Sequence, residues 1–87
     1  MRKISTNSIS VNGSVFHYSV VVRDMFNCDG VICGELYGAH ISGSDDHAEA
    51  LDLTTHKDKI FDFVKKLCEC SVTPVALRDV VFDSLPL

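Results

Sequence analysis

The sequence predicts an α+β fold, in which a four-stranded antiparallel meander sheet is followed by two short C-terminal helices packed on one face. Three observations carry that expectation. Residues 8–53 fall into short runs with period-two alternation, bounded by Gly, Asn, Asp and Ser. Residues 55–85 switch to three- and four-residue apolar spacing. Thr73-Pro74 interrupts that second stretch with a pair suited to opening a helix.

Residues 1–7 are polar and are expected to be frayed. Ser8–Val11 and Val15–Arg23 flank Asn12-Gly13, a strong hairpin signal. In the second strand Phe16, Tyr18, Val20 and Val22 share one face, and His17 and Ser19 the other. Asp24–Gly30 reads as a loop. Val31–Ser42 reads as a third strand with Val31, Cys33, Tyr37, Ala39 and Ile41 on one face. Glu35 falls on that face too, so a bulge at Gly34 or Gly38 is expected to shift the register. Gly43-Ser44 suits a two-residue turn into a fourth strand, Asp46–Leu53.

The first helix is expected to start at Thr55, with Asp58 reaching back as in a capping box. Ile60, Phe61, Val64, Leu67 and Cys68, widened by Phe63, make its apolar stripe. Asp62 and Lys66 lie four apart on its wet side. The chain must leave the helical region at Ser71-Val72, before Pro74. Thr73 then serves as N-cap and Pro74 as N1 of a second helix carrying Leu77, Val80, Val81 and Leu85.

The 87 residues suit one domain, 1–87, large enough to bury a core without staples. No apolar run reaches the ~18 residues a membrane span needs. The N-terminal residues lack the apolar core of a signal peptide, so the chain is expected in the cytoplasm with its four cysteines reduced. A net charge of −4 argues against a phosphate-backbone partner.

Sites are few. In the two-residue-turn register His40 lies opposite His47, close enough for two imidazoles to share a metal. These are the candidate metal residues, although solvated strand-end histidines are the commoner case, and no metal or other cofactor is expected. The same register sets Glu35 against Asp52, a like-charge pair. Cys68 and Cys70 lie too far around a helix to clasp one ion. Cys33 and Cys68 read as small core residues and Cys28 as an exposed one. Asp45-Asp46 sits on a turn, where acids are ordinarily solvated. No nucleophile with an orienting base is placed, so the chain reads as no enzyme.

Tyr37-Gly38, then Thr54-Thr55 before the charged stretch His56–Lys59, then Thr73-Pro74-Val75-Ala76-Leu77-Arg78-Asp79-Val80-Val81 form a recognisable series. On these residues the chain resembles a family of small uncharacterised Firmicutes proteins, chiefly clostridial, grouped as a domain of unknown function. The closing Thr-Pro-Val-x-Leu-x-Asp-Val-Val motif is its most specific part. The resemblance implies a bacterial source and supplies no activity, cofactor or site residue.

What remains is a non-catalytic module that binds another protein or itself. Leu36 and Leu51 share the sheet face that the helices leave open and are the candidate interface, with a homodimer through that face or an edge strand expected. The alternative is a nucleic-acid-binding regulator using the 74–85 helix. That helix offers Arg78 alone against Asp79 and Asp83, which argues against it.

Overall fold

The computed structural model describes residues 2–11, 13–43 and 46–84. Four strands, β1 (Arg2–Val11), β2 (Ser14–Phe26), β3 (Ile32–Ser42) and β4 (His47–Thr54), form one antiparallel sheet in the order β1-β2-β3-β4. Then come α1 (Lys57–Glu69), a 3-10 turn (Pro74–Ala76) and α2 (Leu77–Ser84). This is the expected meander with two C-terminal helices on one face. Residues 2–7 are strand rather than frayed, because their backbone pairs with Val22–Tyr18 of β2. The sheet therefore spans 2–54 and the helical part 57–84.

The core lies between the helices and the sheet face that carries Tyr18, Val20 and Val22 of β2 with Tyr37, Ala39 and Ile41 of β3. Ile60, Phe63, Val64 and Leu67 of α1 and Leu77 and Val81 of α2 close over it, with Phe61, Cys68 and Val80 at its margin. Tyr18 is fully buried, and its hydroxyl donates to the Val72 carbonyl at 2.7 Å. The centre of the sheet is thus bonded to the link between the helices. A buried hydroxyl without a partner would cost on the order of 1–3 kcal/mol, so this bond matters to the packing.

The turn between the helices is a Schellman motif. Ser71 N–H donates to the Cys68 carbonyl at 3.1 Å and Val72 N–H to the Leu67 carbonyl at 3.0 Å. Ser71 takes the left-handed φ of +53° that this closure requires. Thr73 holds the N-cap position before Pro74 with extended backbone, but its hydroxyl makes no capping bond. Pro74 is buried at N1. The Thr55–Asp58 capping box does not form. The N-cap of α1 is His56, and the hydroxyl of Thr54 accepts from His56 N–H at 3.0 Å. Thr55 is exposed, and Asp58 contributes only its charge in the first turn, next to the positive end of the helix dipole.

In β1, Lys3 pairs with Val21 and Ser5 with Val20, which leaves Ile4 as the extra residue of a bulge. Two further irregularities set the register of β3 against its neighbours. Gly34 pairs with Met25 and Ile32 with Phe26, which leaves Cys33 as the extra residue of a bulge beside Gly34. Along β4, Ala39 pairs with Ala50 but Tyr37 with Thr54, so the second bulge lies on β4, opposite Gly38. There Asp52 has φ +56°. A side chain at Gly38 would collide with the Ala50 carbonyl oxygen, so only glycine lets the bulged strand approach this closely.

Candidate functional site

The open sheet face is built by cross-strand rows. Ser8, His17, Ser42 and His47 form one, and Thr6, Ser19, His40 and Glu49 the next. Ser42 pairs with His47, so the connection is four residues long, 43–46, and the two-residue turn is excluded. Gly43 N–H donates to the Asp46 carbonyl at 2.7 Å across it. Ser44 and Asp45, which that turn and the Asp45-Asp46 pair invoked, lie outside the described residues. His40 therefore faces Glu49 rather than His47. The two histidines are diagonal neighbours whose rings stack, with centroids 6.1 Å apart and planes at 21°. Stacked rings do not aim their lone pairs at a shared ion. Among the described residues no group of three or more His, Cys, Asp or Glu gathers as a metal site.

Glu35 also departs from expectation. It opposes Asp24, not Asp52. Arg2 relieves that like-charge pair, reaching Glu35 at 2.8 Å and Asp24 at 3.4 Å, and Tyr37 Oη donates to Glu35 at 3.2 Å. Glu35 does share a face with Tyr37; an ion pair, not a register shift between them, makes it tolerable. Asp52, carried outward by the β4 bulge, pairs with Arg23 at 2.6 Å. Both clusters are exposed, so each is worth little in stability. They fix side chains at the end of the sheet where β2 and β3 run on.

That extension is the feature least legible in the sequence. β2 continues to Phe26 through the expected loop, and the β2–β3 hairpin ends in Phe26, Val31 and Ile32, which are 61%, 59% and 57% exposed. Asn27 closes the tip. Its side-chain oxygen accepts from Asp29 N–H at 2.9 Å and Val31 N–H at 3.0 Å. Cys28 is exposed as expected. Cys33 is exposed as well rather than a core residue, because the bulge turns it out of the pattern. Leu36 is half-buried and Leu51, inside the β4 bulge, is 43% exposed. They are not cross-strand neighbours in the observed register. The available sequence signal was Val31-Ile32 beside Phe26 around a Gly-containing loop, an apolar cluster at a turn.

Fold and surface together define a two-layer α+β protein with one covered sheet face, one open polar face and an apolar hairpin tip. The chain belongs to the family described as "Family of unknown function (DUF6514)", which matches residues 2–86. No curated protein and no solved structure matches it significantly. Among the described residues no helix is long and apolar enough to cross a membrane.

Proposed function

We propose that this chain is a non-catalytic module that binds another protein, and that the β2–β3 hairpin tip is its contact surface. The observation that carries the reading is the cluster Phe26, Val31 and Ile32, three large apolar side chains more than half exposed on one hairpin end. Clustered aromatic and aliphatic side chains are what interface centres are made of, whereas single exposed apolar residues are ordinary. Leu36 and Leu51 offer less exposed apolar surface and flank the contact rather than centre it. The regulator alternative gains nothing. The exposed side of α2 carries one basic residue, Arg78, beside the acidic Asp79 and Asp83, and the 3-10 turn and α2 also show Val75 and Phe82. The Thr73–Val81 motif supports a clostridial or related Firmicutes source, and the four free cysteines suit a reducing cytoplasm.

A photo-crosslinking amino acid placed at Phe26 tests the contact in living cells, with the same group at Asp46, exposed in the β3–β4 connection at the opposite end of β3, as comparison. A discrete protein adduct from position 26 and none from position 46 is the expected outcome. Equal or absent adducts from both would remove the tip as a binding surface.

A further inference from the structure

We infer that β1 is a self-association edge, and that its occupant is the β1 strand of a second copy of this chain, paired antiparallel about a two-fold axis. The inference uses a different surface from the hairpin tip and does not depend on it. β1 lies at one edge of the sheet. In an antiparallel ladder alternate residues turn their N–H and C=O away from the neighbouring strand. Among the described residues no backbone group of β1 bonds to anything but β2. Natural edges are guarded by bulges, charges or proline. The β4 edge has such a guard in the bulge at Asp52, whereas the β1 edge is guarded only at its start, by Arg2, Lys3 and a bulge at Ile4. From Ser5 to Val11 its register is unbroken, and Ile4–Val11 contains neither a charge nor a proline.

What lies beside that edge fits a copy of itself. Asn7 and Ser8 of β1 form a groove of about 440 Å³ with Phe61, Asp62, Lys65, Cys68 and Glu69 of α1. Phe61 and Cys68 are only half-buried there. A two-fold axis perpendicular to the sheet puts both α1 helices on the same side, antiparallel across the axis. The order acid, base, acid at Asp62, Lys65 and Glu69 then lets each Lys65 meet an acid of the other copy. Uncharged Ser, Thr and Asn opposite one another along the strands raise no like-charge penalty. The seven residues of the unbroken stretch Ser5–Val11 give an edge of about 24 Å, and the protein is 19 Å across its thinnest axis. The product, on the order of 450 Å² per copy, lies below the ~800 Å² that each partner of a stable complex buries and fits a weak, concentration-dependent pair. An isologous pair of this kind closes and leaves a continuous eight-stranded sheet.

Sedimentation velocity from micromolar to near-millimolar protein, with amide hydrogen exchange on the same samples, tests this. The expected result is a shift from 9.6 kDa to about twice that mass, with concentration-dependent slowing of alternate amides between Ser5 and Ser10. Lys65→Glu should weaken association several-fold, and mixing it with Asp62→Lys/Glu69→Lys should restore it. A monomer at every concentration overturns the inference. So does a dimer whose Ser5–Ser10 amides exchange as fast as in the monomer. The exchange measurement uses the unaltered chain, so a variant that fails to fold leaves the question decided.

Discussion

His40 sits on β3 with its Nδ1 buried and without a hydrogen-bond partner among the described residues. Lys3 of β1, Ser19 of β2, and His47 and Glu49 of β4 surround it. Burial lowers its pKa, Lys3 and His47 lower it further, and Glu49 opposes them. The unfolded chain therefore binds this proton more tightly than the folded one. The stability contributed by neutral His40 is present above the ordinary histidine value of ~6.5 and is lost as pH falls from there through the folded value. Proton NMR of the imidazole should give a midpoint below that of a free histidine, and His40→Gln should flatten the fall in melting temperature over that window. A midpoint at or above the ordinary value contradicts the described surroundings. The sequence brought His40 and His47 near each other but not into their true relation. The relation hung on the length of one hairpin connection, and Gly43 is compatible with more than one. Glu35 shows the opposite case. Its misfit on an apolar face was visible, but its partner Arg2, 33 positions away, was not, because distant charge pairs leave no local pattern.

At the scale of elements, both helices and β2, β3 and β4 were legible from apolar period, and the α1–α2 break from the constraint before Pro74, whereas the polar run 2–7 of β1 shows no such period and is strand through its pairing with β2. The devices inside the break were not. A Schellman closure is ordinarily announced by glycine at its left-handed position, and here that position is Ser71. L-residues hold that conformation at a cost of roughly 1–2 kcal/mol, offset in part because glycine loses more backbone freedom on folding. Ser71→Gly should therefore raise stability by about 0.5–1 kcal/mol in urea unfolding, with no change in the slope. Loss of stability would mean that the Ser71 side chain holds the turn. The capping box failed for a related reason. Thr54 and Thr55 are equivalent in sequence, and the β4 bulge decided which one turns inward, with Thr54 buried opposite Tyr37. Gly38 was the readable sign that something irregular lay there. That the extra residues belong to β4 was not readable, because a glycine marks a close approach without naming the strand that bulges.

At the scale of the whole molecule, the extents of 49 × 23 × 19 Å describe an elongated body. The sheet is longer than the two helices that cover it. α1 and α2 have 13 and 8 residues, or ~20 and ~12 Å of helix, against ~44 Å for the 13 residues of β2. Short helices on long strands leave a sheet end that the core does not use, and that end carries Phe26, Val31 and Ile32. The sequence showed the strands and helices but not their relative lengths, since the loop signals at Asp24 and Asp29-Gly30 masked three further residues of β2. The cysteines of the unaltered chain report on that end directly. Cys28 and Cys33 are exposed at or beside the tip, and Cys70 is exposed beyond the end of α1. The most direct measurement is the rate of maleimide labelling of each cysteine in intact cells and in the purified protein. If the tip is held by a partner, Cys28 and Cys33 label several-fold more slowly in cells relative to Cys70. If the three keep the same relative rates in both settings, the tip is free in the cell and the binding function assigned to it is wrong.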